Sequence, residues 1–307
     1  YNTENLFDTI DDPSTKDEEF LPQSKNKWNT KKYQTKLDHI AYALAAMLDT
    51  IQPFVIGLSE IENPKVLEDL VAQPALKKFH LGIIQHDSPD ERGIDVAILY
   101  NPDVVKVAFD ETLNIHFPFD SEDKTRDILY IKAYINEGEP LWIFVNHWPS
   151  RWGGAEASEP KRLYVAKVLK DKIENVYLGE HFAKVIVMGD FNDNPDNASL
   201  LSLTAEKKSG VEPMIDLMKP MEKKNLFTLR YKGENDIFDQ FVVSKNLLEA
   251  TNPYFISSAE AHIFSAPFLM FNHPKYGLIP NRTYSNGHWV HGYSDHLPVY
   301  LDINFHK

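Results

Sequence analysis

Apolar positions along this chain follow two rhythms. From Lys31 to Asp49 they recur at helical spacing, placing Leu37, Ile40, Leu44 and Met47 on one face. Pro64 to Leu70 predicts a second helix with Asn63 as its N-cap. Pro160 to Glu174 predicts a third, turning Leu163, Val165, Ala166, Leu169 and Ile173 inward. Short apolar runs at 54–58, 81–84, 94–100, 104–109, 185–188, 237–243 and 299–303 predict strands, the last two closing the sheet. Ile128 to Ile135 and Leu141 to Asn146 form a hairpin through Glu137-Gly138-Glu139-Pro140. A turn and a short helix fill 193–200. Two stretches carry no period. Polar, acidic 8–30 predicts a long surface loop, and 252–292, rich in aromatics, Pro and His, predicts an extended loop or lid. Helices mixed with many adjacent strands predict an α+β or α/β layered sandwich.

Composition narrows the partners. Hydrophobic residues make up 43% of 307 positions, enough for a sizeable core in one large domain or two small ones. Forty-five acidic against 32 basic side chains give a net charge of −13. Long nucleic acid is held by Lys and Arg neutralising phosphates, so this balance favours nucleotides or lipid-like phosphoesters over long duplex DNA. With no cysteine, disulfides and thiolate metal sites are excluded. No apolar run approaches the length of a membrane span.

The chemistry gathers at the ends of the apolar runs. Ser294-Asp295-His296 leads into Val299, Leu301 and Ile303. Glu60, Asn146-His147 and Asp190-Asn192 end three other runs. Carboxylates, amides and imidazoles at rigid strand ends are the groups a metal-assisted phosphoester hydrolase requires. Glu60 suits a hard cation, though Glu62 is equally eligible on local sequence. Asp190 and Asn192 alternate along one extended segment and so share a side, while Asp193-Asn194-Pro195 is turn chemistry. Asp190 can accept a proton from water or bind metal, and Asn192 can donate to a phosphate oxygen. His296 has Asp295 and Asp239 as partners to fix its tautomer. Arg126 and Arg151 offer bidentate phosphate contacts, against the commoner fate of an ion pair. Arg151 lies in a Trp148-to-Gly154 loop that, with His288, Trp289 and His291, predicts the substrate rim, or else lid packing.

Read in order, these pieces resemble the endonuclease/exonuclease/phosphatase superfamily, the deoxyribonuclease-I-like hydrolases. The matching segments are Tyr1 to Phe7, Val55 to Glu60, Arg92 to Ala97, Val145 to Arg151, Met188 to Asp193, Phe238 to Phe241 and Ser294 to His296. The resemblance implies one domain over 1–307: a four-layer α/β/β/α sandwich of two packed, mostly antiparallel sheets flanked by helices, class α+β. It implies a Mg²⁺-dependent phosphoric ester hydrolase, with Mn²⁺ or Ca²⁺ as substitutes, acting as a phosphodiesterase or nuclease. A lipid or inositol phosphate phosphatase and a non-catalytic binding module are the alternatives. The residues it implies are His147, Asp190, Asn192, Asp239 and His296 for catalysis, and Asn2, Glu60 and Asp295 for metal. Arg126, Asn146, Trp148 and Arg151 are expected to hold substrate. The charge balance and the lack of an equivalent tyrosine depart from base-excision nucleases. In the family an apolar lead-in precedes the Tyr1-Asn2 motif, so a trimmed N-terminus is expected, with secretion or a periplasmic location among the possibilities. A monomer is the expected state.

Overall fold

A computed structural model describes residues 1–136, 138–205, 211–257, 261–285 and 287–306. Glu137 of the expected hairpin turn, and residues 258–260 and 286 of the expected lid, lie outside the described residues. Two large sheets organise the chain. The first runs β1-β2-β4-β3, with β1 Asn2–Leu6, β2 Val55–Ile61, β3 Gly82–Gln85 and β4 Asp95–Tyr100. The second runs β5-β6-β7-β8-β12-β9, with β5 Val105–Leu113, β6 Ile128–Ile135, β7 Pro140–His147, β8 Lys184–Asp190 and β9 Met214–Asp216. Its β12 is Asp239–Ser244, preceded by a small hairpin of β10 Leu229–Tyr231 and β11 Glu234–Asp236. Pairing is antiparallel except for β1 with β2 and β7 with β8.

Strand alternation builds the layers, because successive side chains point to opposite faces. Val96 and Ile98 of β4 meet Leu129, Ile131, Ile143, Val145, Ile186 and Met188 of the second sheet in one core. The intervening Ala97 and Leu99, with Ile56 and Leu58, face outward to Leu37, Ile40 and Leu44 of α1 (Thr30–Thr50) and Leu67 and Leu70 of α2 (Pro64–Val71). On the far side Tyr130, Trp142, Phe144, Val185 and Val187 carry α3 (Ala155–Gly179) and α4 (Ala198–Thr204) through Val165, Leu169, Ile173 and Leu200. Three cores make four layers, helix, sheet, sheet, helix. The sheets approach closely at Gly57, where an added Cβ would lie 2.9 Å from Met188 Cε.

Helix starts follow their caps. Asn29 accepts from the N–H groups of Lys31 and Lys32, and Asn63 from that of Val66 with Pro64 at the first helical position. The third helix starts at Ala155, five residues before Pro160. Proline is tolerated there because the carbonyl it leaves unbonded belongs to exposed Glu156, within reach of water.

Two expectations are corrected and a third is refined. The 252–292 stretch is no structureless lid: Met270–His273 pairs with Gly277–Pro280, and Tyr284–Ser285 with His288–Trp289. Runs of two to four residues are too short to register as a period. Val299–Leu301 does not close a main sheet but pairs with Ala261–Ile263. The 8–30 loop is pinned by aromatics: Phe20 stacks on Phe7 at 4.1 Å, and buried Trp28 donates its Nε1–H to the Phe7 carbonyl at 3.1 Å.

Asp216, at the end of β9, has a buried Oδ2 without a partner, while Oδ1 accepts the Met218 N–H at 2.8 Å. Burial pushes this carboxyl up to about 7. Its folded-state value lies above the unfolded one, so the folded chain holds the extra proton and stability falls as pH rises from about 4 to about 7. Asp216→Asn keeps the acceptor and removes the charge. It is expected to stabilise by about 1–3 kcal/mol above pH 7, the scale of a buried polar group relieved of an unmet demand, and by nothing near pH 4. Denaturant melts at both pH values check this, and a gain equal at both would sink it.

Candidate active site

Three adjacent strands bring three site residues level. The register of β7 on β8 sets His147 beside Asp190, and that of β12 on β8 sets Asp239 on the other side of Asp190. The close approach depends on Gly189, at φ +132°, where a Cβ would fall 2.0 Å from the Asn146 carbonyl oxygen. His296 comes in from above. Its Nδ1 lies 2.7 Å from Asp239 Oδ2 and its Nε2 3.8 Å from Asp190 Oδ2. The first sheet supplies Asn2 and Glu60. Glu60 sits in a bulge at φ +64°, facing Glu4 and Asn5 at φ +52° and +59°. Left-handed backbone at three non-glycine residues is strain held in place by the surrounding structure. It lets the Asn5 N–H donate to Glu60 Oε2 at 2.7 Å.

Asp190 is the centre of the constellation. Asn2 Nδ2 donates to its Oδ2 at 3.0 Å and to Glu60 Oε1 at 3.2 Å. His147 Nε2 lies 3.6 Å from Asp190 Oδ2 and 3.9 Å from Glu60 Oε1. Burial, reinforced by the Asp239 charge against the opposing pull of His296, pushes Asp190 up to about 6. The two imidazoles diverge. Burial holds His147 well below the usual histidine range, with Arg126, Arg92 and His296 adding repulsion. Burial also opposes charge on His296, but Asp239 and Asp190 outweigh it and hold the imidazolium well above that range. Two imidazoles pushed in opposite directions therefore flank one carboxyl group.

Several expected substrate contacts prove to be internal braces. Arg126 is buried, donating to Asp90 Oδ2 at 2.9 Å, the His147 carbonyl at 3.2 Å and the Trp148 carbonyl at 2.7 Å. It positions the end of β7 and presents no open fork to a phosphate. Asn146 is fully buried between the Phe144 and Met188 carbonyls and accepts from Trp148 Nε1 at 3.0 Å. Trp148 itself is buried edge-on against Phe191, so it is core and not rim. Arg151 donates to the Asn192 carbonyl, Asp193 and Asn197 and lies over the Phe238 ring. Asn192 does not continue an extended segment. It turns at φ +50°, gives its N–H to Asp190 Oδ1 at 2.8 Å and its amide to the Trp148 carbonyl at 2.9 Å. The turn chemistry read at 193–195 thus begins at Asp190 itself.

Asp295 pairs with Arg282 at 2.9 Å. Arg282 also faces Glu4 Oε1 at 3.7 Å, while Glu4 Oε2 accepts the Thr283 N–H at 2.6 Å. Arg92, exposed and bonded to Asn5, and the partly exposed Arg282, bonded to Asp295, are further arginines beside site residues. Arg92 stood inside a recognised motif without a role. Arg282 lay in the stretch without period, where no sequence signal marked it.

Among the described residues no three or more His, Asp or Glu side chains converge as a metal cage. Magnesium needs none, since it takes one or two carboxylates and keeps waters and phosphate oxygens. Glu60 and Asp190, both bonded by Asn2 Nδ2, are oxygen donors of that kind, so these two fit a hard divalent cation held largely through water and substrate. Asn2 lies between Glu60 and Asp190. Its Oδ1 accepts the Glu4 N–H at 2.9 Å, and its nitrogen, not its oxygen, faces the carboxylates.

Fold and site together define a class, the phosphoester hydrolases built on two packed sheets. The chain matches the model of the Endonuclease/Exonuclease/phosphatase family over residues 1–305 and belongs to that family. Its structure is similar to humanized TDP2 of D. rerio, at 17% identity over 90% of this chain and 94% of that one, TM-score 0.58. It is similar to a mannosyl-6-phosphatase of Bacteroides thetaiotaomicron, at 16% identity over 90% and 94%, TM-score 0.59. The human nocturnin catalytic domain with bound sulfate gives 16% over 88% and 87%, TM-score 0.55. At these identities the likeness is one of fold. No curated protein matches the sequence.

Proposed function

We propose that this chain hydrolyses small phosphoesters, phosphodiesters first, with a divalent cation, Mg²⁺ foremost, as cofactor. The observation that carries this reading is Asp190 held between His147 and His296, with Asp239 anchoring the second imidazole. Environments that push paired titratable groups apart assign acid and base. Water attacks phosphorus in line, and Asp190 takes its proton. The P–O bond to the leaving group breaks as the cationic His296, anchored by Asp239, stabilises the phosphate oxygens and protonates the departing oxygen. A cation held at Glu60 would neutralise charge on the phosphate. The net charge of −13 weighs against long nucleic acid as substrate.

Bis(p-nitrophenyl) phosphate with Mg²⁺ or Mn²⁺ is expected to release p-nitrophenol, and chelator to abolish the release. Undiminished release in chelator would remove the metal from the proposal. Faster turnover of p-nitrophenyl phosphate than of the diester would assign the monoesterase alternative. His296→Ala is expected to lower kcat roughly a hundredfold or more. Retained kcat with an unchanged pH profile would make His296 structural.

A further inference from the structure

Beside the catalytic residues opens a cavity of about 460 Å³ that the hydrolytic machinery does not use. We infer that it receives the polyhydroxylated ring of a sugar, making the substrate a hexose phosphoester; this rests on the phosphoester hydrolase reading and names its substrate class. The cavity is joined to the reacting centre through two of its wall residues. Asn5 gives its N–H to Glu60, and Arg282 pairs with Asp295. An ester whose phosphorus lies between Glu60 and His296 can therefore place its alcohol portion in this space. The volume falls within the range of ordinary small-molecule sites.

The lining selects the alcohol. Glu18, Glu19 and Lys25 are exposed and form no side-chain hydrogen bond or ion pair among the described residues. An ionised carboxylate accepts hydrogen bonds and donates none, so two of them call for a group rich in O–H donors. Lys25 supplies donors to the same group from the other side of the charge balance. Half-buried Tyr284 adds an aromatic wall against which the C–H face of a pyranose can lie. Hydroxyls that both donate and accept, set around an apolar ring face, satisfy all of these at once. A second phosphate, or a nucleotide with its additional charges, would meet the carboxylates of Glu18 and Glu19 at like sign. A lipid tail would leave every polar wall group unpaired, which costs binding.

The test compares kcat/KM with Mg²⁺ for hexose 1- and 6-phosphates, inositol monophosphate, glycerol phosphate and a nucleoside monophosphate, each as the monoester and as its p-nitrophenyl diester, beside simple p-nitrophenyl esters. Hexose esters are expected to exceed glycerol phosphate at least tenfold. The Glu18→Gln/Glu19→Gln double variant is expected to lower the ratio of hexose-ester to p-nitrophenyl-ester kcat/KM about tenfold, chiefly through KM, as the loss of charge-assisted hydrogen bonds implies. Both positions are exposed, so the variant tests recognition and not folding. Hexose esters turned over no better than glycerol phosphate, a preference for inositol or nucleotide, or an unchanged ratio in the double variant would each overturn the sugar assignment. Turnover of p-nitrophenyl esters in those cases leaves the hydrolase reading standing. Failure to hydrolyse any ester would overturn that reading and this one with it.

Discussion

Asp190→Asn is expected to lower kcat by roughly three orders of magnitude, within the span a positioned acid–base group contributes, while the chain stays folded. The carboxylate sits between His147 and His296, 3.6 Å from one Nε2 and 3.8 Å from the other. Asparagine keeps an oxygen for the Asn192 N–H, so the turn after β8 survives. It also removes a buried charge whose ionisation is disfavoured, which compensates for the lost attraction to His296. Steady-state kinetics beside a circular dichroism melt separate the two effects. Near-normal kcat in a folded variant would exclude Asp190 from proton transfer, and an unfolded variant would make its role architectural.

Arg126→Ala acts on stability in place of substrate affinity. Removing the guanidinium leaves Asp90 buried without its cation and strips donors from the carbonyls of His147 and Trp148. Breaking a buried ion pair from one side costs about 3–5 kcal/mol. Urea denaturation should record that loss, with KM little changed in the fraction that remains folded. A stable variant with a raised KM would restore the sequence-based reading of Arg126 as a phosphate contact.

Much of the architecture is visible in the sequence because burial on alternate positions leaves a period. Ile128 to Ile135 and Leu141 to Val145 supply apolar side chains to both faces of the second sheet, and their runs are correspondingly unbroken. Glu60, His147 and Asp190 stand where such runs stop, but Glu62 is as eligible as Glu60 on that ground, and the family resemblance decides between them. The bulge at Glu60 also left a trace. Leu58 and Ile61, both buried, are three residues apart, which strict alternation forbids and one extra residue allows. What a single sequence does not carry is the destination of a side chain's donors. Nothing near Arg126 reveals that its guanidinium turns back onto the carbonyls of the strand end. Arg282 acts through Asp295 and Glu4, the latter far away in sequence, and only the folded chain brings those groups together.

The hydrogen bond from Ser294 Oγ to the Asn2 carbonyl joins residues 292 positions apart. Asn2 is translated among the first residues of this sequence and His296 among the last. During synthesis the emerging chain can form α1 and the first sheet while Asp190 still lacks its cationic partner. On the mechanism proposed, hydrolytic competence waits until the segment carrying Ser294 and His296 has closed over Asn2. A chain cut before Ser294 lacks that segment, and the product is expected to be silent as a catalyst however much of the sandwich it retains.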